Sequence, residues 1–363
     1  MVDVVTNHFG APGPAESVDY TQFNPFNSPS YFHPICFIND YSNQTQVEVC
    51  DIGTDAYPLP DVNTTQAGVR TAWQNWIQYM VSTYSIDGIR IDSVKNVEKD
   101  FWQPFNKAAG VYAVGEVSDG NVDYVCPYTS VLDGVLDYPS YWQATNFFSN
   151  PSATSANFVG EFNYMKQECK DMTTLGPFSE NHDQARFASH TSDLVLAKNI
   201  MAWTLLADGV PILYQGQEQH LNGSADPYDR EAIWLTGYNT SAPLYKFATQ
   251  MNAIRKLAIA KSSDYVTTPS TIVYSDDHNV AFRKGDSSYM ILNVLNNLGS
   301  SAQTYTVNLP NVGFPAGLTV VDVLSCRQVV VGSDGSLNAY FTGGLPMVYY
   351  PQYLLSGSGW CGY

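Results

Sequence analysis

Positive charge is what this 363-residue chain has least of. It carries 17 Lys and Arg against 34 Asp and Glu, for a formal net charge of −17. Nucleic-acid binding needs a basic surface to displace counterions, so that class of partner is excluded. Charged residues of all kinds reach 14%, against roughly 25% in an average soluble protein. No run of 18 apolar residues occurs, which excludes a membrane-spanning helix. No two cysteines stand as CxxC, which argues against a zinc ribbon or a thioredoxin-like redox site. The first residues, MVDVVT, read as a strand from the start. They offer no charged n-region, apolar stretch or cleavage site, hence no signal peptide. Because other features below look secreted, the expectation is a chain missing its natural beginning. No internal repeat or low-complexity tract is evident.

Aromatic residues, in contrast, make up 13%, with 25 Tyr. Most must be core, but aromatic faces also stack on sugar rings, so carbohydrate becomes a candidate substrate. Six cysteines (Cys36, Cys50, Cys126, Cys169, Cys326 and Cys361) fit three disulfides in an oxidising compartment. Sequons at Asn43, Asn63, Asn222 and Asn239 point the same way. The length suits two or three domains.

Residues 7–62 show no helical period and are rich in Pro, Gly, Asn, Ser and aromatics. A structureless loop of that length is improbable inside a domain, so an inserted subdomain is expected. A bridge closing Cys36 to Cys50 would stabilise it by about 3 kcal/mol on the loop-entropy account. Val69, Trp73, Trp76, Ile77 and Met80 then mark an amphipathic helix. Next come a strand at 87–91, a helix at about 96–109 stopped by Gly110, and a strand at 111–117. Further strands are expected at 131–136, 173–178 and 209–214, and further helices at 192–207 and 244–257. Alternating strands and helices predict a parallel sheet covered by helices. From about Ser262 the pattern changes to short strands with turn residues between them, at 271–274, 280–283, 289–295, 304–309, 318–324 and 347–349. That predicts an antiparallel β domain.

Three carboxylates stand at comparable strand ends: Asp92 in DGIRIDSVKNV, Glu116 in VGEV and Asp183 in SENHD. Asp92 and Glu116 are one helix-plus-strand unit apart, which puts them on neighbouring parallel strands about 4.8 Å apart. Their carboxyl groups could then reach the roughly 5–5.5 Å separation of a retaining glycosidase, one attacking the anomeric carbon and the other protonating the leaving oxygen. A single strand-end acid is more often structural, and Arg90 with Asp92 alone would read equally well as a buried ion pair. Three acids flanked by Arg90, His8 and His182 favour chemistry.

The segments VDVVTNH (2–8), GIRIDSVKNV (88–97), VGEV (114–117) and SENHD (179–183), with LPDV (59–62), resemble the conserved regions of the α-amylase family of glycoside hydrolases. VDYTQFNPF, SYFHPICF, GQEQH and DREAIWLTGY resemble its secreted fungal members, and the likeness runs over essentially the whole chain. It implies a (β/α)8 TIM barrel lacking about its first two strand–helix units (1–8 and 67–261). An irregular domain with the calcium site is inserted after the third strand (9–66), and a C-terminal antiparallel β-sandwich follows (262–363). It implies Asp92 as nucleophile, Glu116 as general acid/base and Asp183 as the third acid, which stabilises the oxocarbenium-like transition state. Arg90 would orient Asp92, and an adjacent guanidinium lowers a carboxylate's pKa. His8 and His182 would bind the sugar at the cleavage point, Lys95 and Gly120 the leaving-group side, and Asp226 and Arg230 the opposite side. For that last pair a surface ion pair at i,i+4 is nearly as good a reading. Calcium would be held by Asn7 and Asp61 through side chains and by Glu48 and Asn96 through carbonyls, hard oxygens that suit it. The resemblance also implies disulfides Cys36–Cys50, Cys126–Cys169 and Cys326–Cys361.

The chain departs from the family at Asn96, where a His is usual, and at Gln184-Ala185, where Asn-Pro is usual. The first change weakens a contact beyond the cleavage point and bears on product length and transfer. The function implied is retaining endo-hydrolysis of α-1,4-glucosidic bonds in starch and related glucans by a secreted, monomeric, calcium-dependent enzyme. The alternatives are a 4-α-glucanotransferase or an inactive fragment. By the strand count, six of eight barrel strands precede the β domain. The chain expressed alone is therefore expected to fold poorly or to lack activity, with its acids in place.

Overall fold

Ile89 and Ile91 alternate with Arg90, and this stretch is the second strand of a four-stranded parallel sheet in a computed structural model that describes residues 1–363. The strands are β1 (Val2–Val4), β2 (Gly88–Ile91), β3 (Tyr112–Gly115) and β4 (Gly134–Val135), in the order β1-β2-β3-β4. Asp3 pairs with Arg90, Ile91 with Gly115, and Gly115 with Val135. Ile89, Ile91, Ala113, Val114 and Val135 are all buried, as a parallel sheet covered on both faces requires.

Two compact units emerge: residues 1–136 with 168–170, and residues 137–167 with 171–363. In the first, helix α1 is Gln44–Val49, α2 is Ala67–Tyr84 and α3 is Lys99–Ala109. α2 buries Val69, Trp73 and Ile77, the stripe read from the sequence. α3 buries Phe101, Trp102, Phe105 and Ala109, and ends where Gly110 takes a left-handed conformation at φ 65°, which costs glycine no steric penalty. The Trp102 indole donates to the Val94 carbonyl at 3.0 Å, fixing α3 beneath the turn after β2. Gly115 is required by closeness: a Cβ there would come within 2.4 Å of Leu132 Cδ1 and 2.9 Å of Val94 Cγ2.

The stretch between β1 and α2 is largely irregular. An aromatic cluster holds it, with Phe9 stacked on Phe23 (4.9 Å) and Trp73 edge-on to Phe26 (5.3 Å). The Cys36–Cys50 disulfide adds a covalent tie, and Cys126–Cys169 closes the other bridge of this unit.

The second unit begins with two helices that carry no clear period in the sequence, α4 (Tyr138–Ser149) and α5 (Ala156–Glu168). α6 (Leu194–Leu206) and α7 (Pro243–Lys261) follow, close to the expected ranges. The strands expected at 173–178 and 209–214 are not regular. A 3-10 turn at Met172–Thr174 opens the first. The two segments are joined by main-chain bonds from Val210 N to Leu175 O (2.8 Å) and Ile212 N to Pro177 O (2.9 Å). Pro177 and Pro211 lack the N–H that a continuous ladder needs.

The rest of this unit is β5 (Thr271–Ser275), β6 (Asn279–Lys284), β7 (Ile291–Asn296), β8 (Tyr305–Leu309), β9 (Thr319–Asp322), β10 (Arg327–Val330), β11 (Leu337–Phe341) and β12 (Met347–Pro351). Six form one antiparallel sheet in the order β10-β9-β12-β7-β6-β5, and β11 pairs with β8. Leu309, Ala339 and Phe341 of the small sheet share a core with Leu292, Val294, Val320 and Tyr349 of the large one, a sandwich arrangement. Cys326–Cys361 ties down the last segment. The sequence reading missed β10 and β11. No helix is long and apolar enough to cross a membrane.

Candidate active site

In the first unit the pairing of Ile91 with Gly115 sets Asp92 and Glu116 side by side, each one residue beyond the paired position. Main-chain bonds extend the sheet to both: Asp92 N donates to Val4 O at 2.9 Å and Glu116 N to Ile91 O at 2.8 Å. Arg90 lies between the two acids. Its Nη1 donates to Asp92 Oδ1 at 2.6 Å and to Asp3 Oδ1 at 3.0 Å, and its Nη2 is 3.2 Å from Glu116 Oε2. One guanidinium with side-chain exposure of only 14% thus serves three carboxylates.

Burial pushes the Asp92 carboxyl up, but the Ser93 hydroxyl, Arg90 and His8 together outweigh it and hold Asp92 below its ordinary value. Burial alone would pull Arg90 down, yet Glu116, Asp3 and Asp92 hold it above the ordinary arginine range. A carboxylate kept ionised next to a buried acid is the chemical division that retaining glycoside hydrolysis uses. His8, half-buried, has its imidazole pushed toward the neutral form by burial, with Asp92 and Asp51 opposing. Lys95 donates to Ser118 O at 2.6 Å and lies 5.4 Å over the Tyr41 ring. Burial lowers its ammonium, while Asp119 and Glu116 pull it up. Gly120 is exposed in the loop beyond.

Three of the four expected calcium residues, Asn7, Asp61 and Asn96, come together. The side-chain oxygen of Asn7 faces only acceptors, 3.0 Å from Asp61 Oδ1 and 2.8 Å from the Asn96 carbonyl. Three oxygens at such distances need either a cation among them or an amide turned over so that its NH2 donates to both. The donor set, one carboxylate with an amide and a main-chain carbonyl, is chemically fit for a hard cation. Burial pushes the Asp61 carboxyl up to about 7 in spite of His33, whose Nδ1 is 2.5 Å from Oδ2. A cation at this place would favour the ionised form. Asn96 donates its own amide to Val47 O at 3.1 Å, anchoring α1. Glu48 accepts from the Gln44 amide at 2.7 Å. No group of three or more His, Cys, Asp or Glu side chains forms a metal cluster; the set described here has a single carboxylate.

The second unit gathers the other expected residues. Arg230 Nη2 donates to Asp183 Oδ1 at 3.0 Å, its Nε donates to the His182 carbonyl at 3.0 Å and lies 2.9 Å from Asp226 Oδ1. His182 Nε2 lies 3.4 Å from Asp183 Oδ2. Next to them is a buried set that sequence reading missed. Arg186, wholly buried, donates from Nε to Glu231 Oε2 at 2.5 Å and from Nη1 to Glu180 Oε2 at 3.3 Å, and stacks 4.3 Å over Tyr214. Burial first, with Arg186 opposing, leaves the Glu180 carboxyl pushed up to about 8. Glu231 and Arg230 are consecutive, so one loop grips both ends of the turn that carries Asp183. Ser93 is the other omission. It lies inside a motif already singled out, DGIRIDSVKNV, in which the sequence reading gives it no role.

Comparisons with known proteins agree along the whole length. The family profile described as alpha amylase, catalytic domain, matches residues 1–306, and that described as alpha-amylase, domain C, matches residues 272–363. The chain is 46% identical over 361 residues to Alpha-amylase 1 of Schwanniomyces occidentalis, covering 99% of this chain and 70% of that protein. It is 42% identical over 351 residues to the Alpha-amylase of Saccharomycopsis fibuligera, covering 97% and 70%. The solved structure of an alpha-amylase from Malbranchea cinnamomea superposes with a TM-score of 0.96 at 49% identity, covering 99% of this chain and 76% of that one.

Proposed function

Because the chain belongs to the α-amylase family, we propose that it hydrolyses internal α-1,4-glucosidic bonds of starch and related glucans with retention of configuration. The observation that carries this reading is the single buried guanidinium of Arg90 between Asp92 and Glu116. Asp92, held ionised, attacks the anomeric carbon and forms a covalent glycosyl-enzyme. Glu116 gives its proton to the leaving oxygen and then takes one from the water that releases the sugar. Asp183 is the third acid, stabilising the oxocarbenium-like transition state. His8 and His182 bind the sugar at the cleavage point, Lys95 and Gly120 the leaving-group side, and Asp226 and Arg230 the opposite side.

Calcium held by Asn7, Asp61, Glu48 and Asn96 would supply no step of the reaction; it would fix the inserted region 9–66 against the turn after β2. The three disulfides support secretion, and the sequons support glycosylation. The domain limits that go with this reading are 1–8 with 67–261, 9–66 and 262–363.

The test is incubation of the purified protein with maltoheptaose and with starch. New reducing ends of α configuration by NMR and products only shorter than the substrate support the reading. Products longer than the substrate assign the transferase reading. Here Asn96 matters, because its amide is committed to Val47 and is withheld from an acceptor sugar. Absence of any cleavage by soluble, cooperatively folded protein sinks both and leaves the inactive-fragment reading.

A further inference from the structure

We propose that Ser93 is a positioning residue that couples the two reacting carboxylates, its hydroxyl holding Asp92 and its main-chain N–H holding Glu116. The proposal rests on the glycosidase reading above. Ser93 Oγ donates to Asp92 Oδ2 at 2.5 Å, and Ser93 N donates to Glu116 Oε2 at 3.0 Å. Arg90 also contacts both acids, Asp92 through Nη1 and Glu116 through Nη2. The two work from opposite sides of Asp92: Arg90 takes Oδ1 and Ser93 takes Oδ2.

The backbone explains how one small residue does this. Ser93 has φ 53° and ψ 40°, the left-handed region that L-residues enter at a cost. That conformation reverses the chain directly after β2. The N–H then reaches the carboxylate arriving from β3, and the side chain folds back on its own predecessor. The turn is locked by Val94 N donating to Glu116 O at 3.0 Å and Asn96 N to Ser93 O at 3.1 Å. A strained backbone at the junction of two functional acids is the pattern expected where geometry serves function.

The charged groups facing Asp92 are Arg90 from its own strand, Asp3 from β1 through Arg90, His8 from the segment after β1, and Glu116 from the end of β3. Of the influences that favour ionised Asp92, the Ser93 hydroxyl stands first. A hydrogen bond donated to a carboxylate favours its charged form, so removing the donor raises the pKa. Arg90 and His8 remain, so Asp92 still ionises, but later on the pH scale.

Ser93→Gly deletes the hydroxyl while suiting the backbone, since glycine enters this conformation freely. Ser93→Thr keeps a hydroxyl but strains the backbone further. Three quantities are read: the acid limb of kcat/KM against pH on a maltooligosaccharide, the Asp92 carboxyl titration by 13C NMR, and Tm. For Ser93→Gly the acid limb and the NMR titration move up by about one pH unit, with Tm near the parent's. For Ser93→Thr both stay in place while Tm falls. A Ser93→Gly limb and titration that overlay the parent's overturn the proposal, as does a shift that follows Tm instead of the hydroxyl. Should Ser93→Gly not fold, Ser93→Ala is read the same way. The NMR arm does not need catalysis. A parent without activity therefore counts against the glycosidase reading, and an unmoved Asp92 titration counts against this one.

Discussion

Two arginines in this molecule each hold two of the acids expected to act on sugar, and they do so in opposite surroundings. Arg90 bridges Asp92 and Glu116 at side-chain exposures of 14%, 23% and 11%. Arg230 bridges Asp183 and Asp226 at 47%, 36% and 63%. The pairing chemistry is shared, but water weakens a Coulomb interaction severalfold relative to a protein interior. The buried set can therefore divide protonation states between neighbouring acids, while in the exposed set Arg230 holds Asp183 where substrate can reach it. On this account Arg90 serves bond-making, and Arg230 serves to orient and grip.

The hardest test of that contrast is to remove the acids of the buried set. Asp92→Asn is expected to lower kcat by about 10^4-fold or more, since no other group replaces a nucleophile. Glu116→Gln should lower it by about 10^2–10^4-fold, most severely on substrates with poor leaving groups. Asp183→Asn compared alongside tells whether the third acid belongs with the first two. A loss below tenfold would break the assignment of a transition-state role to it.

Arg90→Met comes next. It leaves three carboxylates without their cation, and breaking a buried pair costs about 3–5 kcal/mol. Denaturant unfolding should show a loss of that order together with lost activity. The acid side of the stability profile should also change. A carboxyl held below its ordinary 3.8, as Asp92 is, contributes stability that is present above that pH and lost as pH falls through the lower, folded value. In Arg90→Met that contribution shrinks, so less stability is lost on acidification.

Calcium should matter less, and through folding only. Saturation at 100 times the dissociation constant stabilises a site by about 2.7 kcal/mol. Chelation should therefore lower Tm, and Asp61→Asn should abolish the response to chelator. A chelator-insensitive parent would remove calcium from the account. The smallest effect belongs to Arg230→Gln. An exposed ion pair contributes about 0–1 kcal/mol, so stability should hardly move, KM for long glucans should rise a few-fold, and kcat should hold. A large loss in kcat would erase the contrast between the two arginines.

Asp92, Glu116 and Asp183 stood out as candidates because each follows an apolar segment within a distinctive local motif, whereas Asp226 entered only through the family resemblance. α2 was legible because Val69, Trp73 and Ile77 form one apolar face. α4 was not, because Tyr138, Tyr141, Ala144, Phe147 and Phe148 are buried along with Ser140 and Thr145. A helix buried on most sides shows no face. The segments at 173–178 and 209–214 were overread as strands because their prolines interrupt the ladder without disturbing the apolar run. β10 was missed because three of its four residues are exposed, leaving little hydrophobic pattern. Ser93 and Arg186 lay beyond reach for a different reason. What each does depends on partners 23 and 45 residues away, and no local spacing reports that.

The most direct measurement is to trap the covalent intermediate with a slow-turnover fluorinated maltosyl donor and locate it by peptide mass spectrometry. The account predicts one adduct, on Asp92 within the peptide spanning residues 90–95, formed faster as pH rises through the acid limb and absent in Asp92→Asn. An adduct on Glu116, on Asp183 or on any residue outside that peptide would contradict it, as would efficient starch cleavage by Asp92→Asn.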